Sequence, residues 1–280
     1  MFLNRRRTAL AGAVVGIGAF STLNYASSSR RECTNAAEAS SVATALPTVQ
    51  KLGFALIRGA IPAASLMHCK QTDAFREMPA SALESQTDTW RLSAFGRFHR
   101  VQFSQSDSTA FAALEHLWEP LVVSYFENVE RRLIYRSELQ LLTAAPWVSQ
   151  DQMWHSDNRS EGLTIVVPLV DFTLDNGATQ LLPGTHDPRL SSMPLMGEGA
   201  RILTPKLGDI AVYDARTYHR GLGNASGHSR PALVFRYDHC DSPPPGVGVF
   251  GSLAHAGLAR LIHATTAARM ATLDAMKPPE

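Results

Sequence analysis

A chain of 280 residues that is 45% hydrophobic and 18% charged has an ordinary globular composition, sufficient for one large β-rich domain or two smaller ones. A formal net charge of +1, with no concentrated basic face beyond about residue 30, gives no reason to expect nucleic acid as a partner. The three cysteines, Cys33, Cys69 and Cys240, are odd in number and form no CxxC pair, so neither a thiolate zinc site nor a disulfide framework is indicated.

The N-terminal stretch differs in texture from the rest. Arg5, Arg6, Arg7, Arg30 and Arg31 precede the first acidic residue, Glu32, and bracket an uncharged run with the apolar centre ALAGAVVGIGAF. This is the pattern of an export signal, the Arg6-Arg7 pair fits a twin-arginine type, and an acid-free leader equally fits organelle import. The run is too poor in Leu to be a strong membrane span, so any membrane association is expected through this leader alone. Residues 1–40 are set aside as a leader or membrane-proximal tail, and 41–280 are expected to form a single domain with its core over 135–240.

Val49–Ile57 reads as a first strand bounded by Gly59 and Pro62, and Pro62 opens a helix expected over Ala63–Phe75. Ser81–Arg91 reads as loop or short helix, and Phe95–Phe103 as a mixed aromatic and basic segment. Asp107 or Ser108 is expected to cap a helix with Phe111, Leu114, Leu117 and Trp118 on one face. Pro120 interrupts it, and a second apolar helix follows to about Leu133.

From residue 137 short β-like runs take over: Leu139–Thr143, Leu163–Val170, Thr179–Leu182, Ile210–Tyr213 and Ala232–Tyr237. Asn176-Gly177, Pro183-Gly184, Gly208-Asp209 and Gly223-Asn224 punctuate them. Many short strands with regular turns predict a sandwich or jelly roll, not a parallel α/β sheet. Pro168, inside the strongest run, marks a strand edge or bulge. Leu253, Leu258, Leu261 and Ile262 give the C-terminal stretch helical spacing.

The chemistry is concentrated in Gln152-Met153-Trp154-His155-Ser156-Asp157. A His and an Asp two apart offer an imidazole nitrogen and a carboxylate oxygen to one metal. A later His, His219 at the far end of the Gly208–Gly221 turn and strand, completes a set of two His and one carboxylate. That set leaves adjacent positions open on an octahedral metal, which suits non-heme iron(II). A second HxD, His239-Cys240-Asp241, lacks such a continuation. Arg230, eleven residues after His219, opens a strand from which its guanidinium can reach behind the metal. A buried Arg needs an anion, and its fork matches a carboxylate.

Three blocks resemble the phytanoyl-CoA dioxygenase family: Gln152–Asp157, the Asn176-Gly177 to Pro183-Gly184-Thr185-His186 segment, and Gly208–Arg236. The resemblance implies a double-stranded β-helix that uses iron(II), 2-oxoglutarate and dioxygen. It implies His155, Asp157 and His219 as iron ligands, Arg230 on the distal carboxylate of 2-oxoglutarate, and Gln152 and Thr179 as further contacts to the co-substrate. Arg97 and Arg100 are candidates for an upstream basic contact, with solvated arginines the preferred reading. His186 reads as part of a structural turn. One departure weakens the case for phytanoyl-CoA itself: Ile165-Val166-Val167-Pro168-Leu169 lacks the aromatic residue that some members place before the Asn-Gly turn.

The expected activity is hydroxylation of an unactivated C–H bond in a small organic or lipid-like substrate, with release of succinate and carbon dioxide. The alternatives weighed against it are a halogenase, a zinc hydrolase and a non-catalytic metal-binding jelly-roll module. Asp157 argues against the first, because halogenases have a small residue there. Arg230 has no use in the other two. Substrate identity and oligomeric state are not legible.

Overall fold

The computed structural model describes residues 37–78, 91–92, 95–128, 134–187, 189 and 199–239. Most of the leader, the Ser81–Arg91 segment up to residue 90, the second HxD beyond His239 and the C-terminal helix expected after residue 252 lie outside the described residues.

Two sheets form the body. The larger has strands in the order β1 (Glu38–Ala39), β2 (Phe54–Ile57), β9 (Ile210–Asp214), β6 (Gly162–Pro168), β11 (Arg230–His239), β5 (Ile134–Ala144), β4 (Arg97–Arg100) and β3 (Arg91–Leu92). The smaller runs β10 (His219–Gly221), β7 (Thr179–Leu181), β8 (Arg201–Leu203). All pairings are antiparallel except β1 with β2. This is the predicted jelly roll.

The sheet is apolar on both faces for two different reasons. Leu163, Ile165 and Val167 of β6, Ile210 and Val212 of β9, and Leu233 and Phe235 of β11 pack outward under the helices, against Val49, Phe111, Leu114, Trp118 and Phe126. The alternate residues Val166, Ala211, Tyr213, Ala232 and Val234 face inward, toward Leu181 and Leu203 of the small sheet and toward Phe172. Side chains alternate faces along a strand, so double burial removes the polar alternation that a half-exposed strand would show. Buried Trp118 donates its indole N–H to the Tyr237 hydroxyl at 2.9 Å, which keeps a polar atom satisfied inside the helix-side core.

Several expectations need correction. Val49–Leu52 are not strand: they end helix α1 (Ala45–Leu52), which Gly53 stops in the left-handed conformation at φ 87°, and the strand starts at Phe54. The expected helix over Ala63–Phe75 is two pieces, α2 (Ala63–Lys70) and α3 (Asp73–Arg76). Neither Asp107 nor Ser108 caps the next helix, α4 (Gln105–Ala112); Ser104 does, its hydroxyl accepting from the Asp107 amide. The Asp107 carboxylate instead accepts the Asp73 and Ala74 amides at the start of α3. Leu114 and Leu117 lie beyond α4, in a tighter 3-10 turn. Pro120 does not break a helix but sits in the first turn of α5 (Glu119–Tyr125), where it costs no hydrogen bond. Pro168 is the last residue of β6, a central strand; it pairs with Ala232 of β11 and lies beyond the stretch of β6 that pairs with β9. Strands β8 and β10 were not anticipated.

Candidate active site

Between the two sheets lies a cavity of about 750 Å³, lined among others by Gln152, His155, Asp157, Thr179, Tyr213, His219 and Arg230. All six residues singled out from the sequence reach it.

His155 and His219 meet because their backbones pair. Each donates its amide to the other's carbonyl, at 3.0 and 2.8 Å. Their ring centroids are 4.4 Å apart. Asp157 is held beside them by its own amide, which donates to Ala215 O at 2.8 Å. His219 Nε2 lies 3.6 Å and His155 Nε2 4.0 Å from Asp157 Oδ1. One ligand atom from each of the three lies within 4.8 Å of the others, a spacing that a single metal ion can bridge.

The histidines are preset for ligation. His155 Nδ1 is 2.8 Å from Met153 O, and His219 Nδ1 is 2.9 Å from Thr217 O. A carbonyl only accepts, so each Nδ1 carries the proton and each Nε2 presents its lone pair. Burial lowers the pKa of His219, which keeps the ring neutral. For Asp157, burial acts to raise the pKa. The influence of the neighbouring His219, Arg236 and His155 side chains and a hydrogen bond from Thr164 outweigh it, so the carboxyl is held below its usual range. The Arg236 guanidinium also donates to Asp157 O at 2.7 Å, fixing the loop that carries the ligand.

Arg230 is the second distinctive feature. It is 3% exposed, its Nε has no hydrogen-bond partner, and it forms no ion pair among the described residues. Its guanidinium stacks 4.2 Å from the Phe172 ring. Burial, reinforced by repulsion from Arg97, lowers its pKa to about 9. A buried cation without an anion is costly, so the arrangement makes energetic sense as the receptor for an anionic ligand. Such a ligand can be a carboxylate, which matches the guanidinium fork.

The reading of Arg97 and Arg100 as solvated arginines is wrong. Arg97 is 1% exposed and donates to Gln150 O and Leu222 O at 2.9 and 2.7 Å. It flanks Ala144 from β4 while Arg230 flanks it from β11, so both cations stand at the same end of the cavity. Burial lowers the pKa of Arg97 to about 10, against the influence of Asp151. Arg100 is buried too, paired with Glu77 at 2.7 Å. The sequence around Arg97 carries no local signal for this; its position in β4, two residues before His99 on a common face, emerges only from strand pairing.

Gln152 accepts the Gly221 amide through its side-chain carbonyl at 2.8 Å, which ties the loop before His155 to β10. A Cβ on Gly221 would lie 2.6 Å from Arg97 Nη2 and 2.8 Å from Gln152 Oε1, so only glycine lets these groups approach. Thr179 pairs with Gly221 across β7 and β10. Trp154 does not close over the cavity: it stacks with the Arg220 guanidinium, 5.0 Å from the ring centroid. His186 is structural, with Nε2 2.9 Å from Gln50 O.

Solved structures with this architecture include AviO1 from Streptomyces viridochromogenes Tue57, at 18% identity and TM-score 0.60 over 74% of this chain and 98% of that one. They also include the non-heme alpha ketoglutarate dependent epimerase SnoN from nogalamycin biosynthesis, at 20% identity and TM-score 0.53 over 68% of this chain and 80% of that one. The carbocyclase SnoK from the same biosynthesis matches at 14% identity and TM-score 0.51, over 68% and 80%. At these identities the likeness concerns the fold. The sequence itself matches the family described as Phytanoyl-CoA dioxygenase (PhyH) over residues 49–232. With that match spanning most of the chain, and with a His–Asp–His group that could hold a metal ion in the same cavity as the buried Arg230, the chain belongs to the phytanoyl-CoA dioxygenase family of iron(II)- and 2-oxoglutarate-dependent oxygenases.

Proposed function

We propose that the protein hydroxylates an unactivated C–H bond of a small organic molecule, with His155, Asp157 and His219 holding iron(II) and Arg230 anchoring the distal carboxylate of 2-oxoglutarate. The observation that carries this reading is the unpaired, buried Arg230 in the same cavity as the His–Asp–His group. Iron(II), one Asp and a dianionic co-substrate together leave one negative charge in excess, and Arg230 neutralises it. A metal-binding module without catalysis would have no use for that cation.

Iron and 2-oxoglutarate, once bound, supply the oxidising power by which dioxygen is activated and the co-substrate becomes succinate and carbon dioxide. The chain supplies aim. The carbonyls of Met153 and Thr217 lock the imidazoles in the ligating tautomer. Thr164 bonds Asp157 Oδ2, and Arg236 holds the Asp157 carbonyl, so the carboxylate keeps one orientation. Arg230, with Thr179 and Gln152 lining the same cavity, fixes the co-substrate, and this positioning removes part of the entropic barrier. Val166, Leu142, Ala232 and Val234 supply the apolar part of the cavity lining, against which the hydrocarbon of a substrate can pack.

Asp157 argues for oxygen transfer over halide transfer, since a carboxylate fills the position a halide would need. The test is incubation with iron(II), 2-oxoglutarate and oxygen-18 dioxygen. Any compound that raises succinate release should then be recovered with one oxygen-18 atom added. A product formed with succinate but without label, as in epimerisation or ring closure, contradicts hydroxylation and leaves the oxygenase assignment standing.

A further inference from the structure

One group of polar side chains on the inner face of the large sheet lies outside the His–Asp–His group and apart from Arg230. His99, Glu138 and Gln140 line the same cavity as the His–Asp–His group. Glu138 faces Arg236 and Gln140 faces Val234 across β5 and β11, and His99 faces Leu142 across β4 and β5. Arg230 pairs with Ala144, six residues from Glu138 along β5. At the rise of an extended strand that is about 20 Å, far more than a five-carbon diacid spans. The co-substrate held at Arg230 therefore leaves Glu138 uncovered. Yet Glu138 is close to the chemistry. Its cross-sheet row runs Glu138, Arg236, Thr164, and the Thr164 hydroxyl bonds the Asp157 carboxylate. Two strand spacings, about 10 Å, separate Glu138 from Thr164.

The bonding capacity of this wall is one-sided. Glu138 has no hydrogen bond or ion pair with any described residue. His99 Nδ1 lies 2.6 Å from Gln140 Oε1, which places the His99 proton on Nδ1 and leaves Nε2 as an acceptor. Burial lowers the pKa of His99, so the ring stays neutral and the acceptor stays available. The Arg236 guanidinium beside Glu138 is already engaged by Asp157 O and by Asp238. The capacity that these three side chains leave free is thus a carboxyl group and an imidazole nitrogen, with the Gln140 amide N–H groups as donors. A carboxylate head group brings no proton for the Glu138 oxygens and the His99 Nε2, and a bare hydrocarbon would leave all of these groups unsatisfied at a cost.

We propose that Glu138, with the His99–Gln140 pair, forms the specificity subsite of the substrate cavity, and that the substrate carries a hydrogen-bond-donating head group, an amine or a hydroxyl, in place of a carboxylate or a plain alkyl end. The proposal rests on the reading of His155, Asp157 and His219 as the iron centre. It excludes free fatty acids as substrates and points to amino- or hydroxyl-bearing molecules.

Head-group-matched probes test it: octylamine, 1,2-octanediol and octanoate, titrated calorimetrically into protein loaded anaerobically with iron(II) and saturating 2-oxoglutarate. Octylamine and the diol should bind at least about tenfold tighter than octanoate, the ratio expected for one charge-assisted hydrogen bond. In Glu138→Gln the octylamine advantage should fall by about tenfold while the visible absorption of the iron–2-oxoglutarate chelate persists. His99→Phe should weaken diol binding and leave the same absorption in place. Equal or tighter binding of octanoate, no measurable binding of octylamine and the diol, or an unchanged preference in Glu138→Gln each overturn the proposal. Failure of the chelate absorption to form in the wild-type protein counts against the iron reading instead.

Discussion

At the scale of single residues, the least economical feature of the protein is Arg230. A guanidinium that is 3% exposed, with an orphaned Nε and an aromatic ring as its close neighbour, is destabilising until an anion arrives. This gives a prediction that separates binding from folding. Arg230→Met should raise the stability of the metal-free, co-substrate-free protein, by about 1 kcal/mol or more in a denaturant melt, because a packed apolar side chain replaces an uncompensated charge. The same variant should lose measurable affinity for 2-oxoglutarate. A destabilised Arg230→Met protein would mean that the charge has an internal partner. Arg230 was legible in sequence through its spacing after His219 and its place at the start of a β-like run. Arg97 was not. Its burial follows from β4 lying against β5, a pairing between residues more than forty positions apart, and an arginine in an irregular stretch carries no local mark of that contact.

At the scale of elements, the proposed iron ligands are placed by a chain of backbone contacts. The Gly53 carbonyl accepts the Asp214 amide at 2.8 Å and the Thr217 hydroxyl at 3.0 Å. Thr217 O in turn fixes the His219 ring. Gly53 holds φ 87°, and a Cβ there would lie 2.4 Å from Thr217 Oγ1 and 2.7 Å from His186 Nδ1. Gly53→Ala should therefore cost roughly 1–3 kcal/mol of stability in a urea melt, from the left-handed backbone and the clash together. It should also weaken iron binding by displacing His219. A neutral substitution would show that the turn from α1 to β2 has room to relax. The same glycine explains why the first strand was misread. Val49-Gln50-Lys51-Leu52 reads in sequence together with the apolar Phe54–Ile57 run that follows it, but its own apolar residues are three apart, as in a helix; Val49 lies under the core as part of Ala45–Leu52, and Gly53 is the C-terminal stop. The five longer β-like runs were readable because β-branched residues recur between glycine and proline turns. Strand β10 was not, since three residues, His-Arg-Gly, carry no periodicity and are strand only because β7 is beside them.

At the scale of the whole molecule, the jelly roll works as two walls with different duties. The outward face of the large sheet is sealed by helices and needs no polar group beyond satisfied ones such as the Trp118–Tyr237 pair. The inward face carries the cations Arg97 and Arg230 beside Ala144 at one end, the His99–Gln140 pair next to them, and Glu138 at the other end, in the row that leads through Arg236 to Thr164 and Asp157. That ordering was only half visible in sequence. The His–Asp–His group and Arg230 announce themselves by local spacing, because two ligands share one loop and the rest follow at fixed intervals. The acceptor wall is assembled from β4 and β5, with forty residues between His99 and Gln140, and no motif joins them. Burial contributes to the same picture: it raises the pKa of Glu138 to about 7, with the Asp157 charge adding to the effect.

The measurement that bears most directly on this account is anaerobic titration of the purified protein with iron(II) and 2-oxoglutarate, followed by the weak visible charge-transfer band of the chelate. The account predicts a band in the wild-type protein, its loss in Asp157→Ala, and a large rise in the 2-oxoglutarate concentration needed to form it in Arg230→Ala. A wild-type protein that binds iron(II) but never develops the band, or variants that develop it as readily as the wild type, would contradict the assignment of these residues.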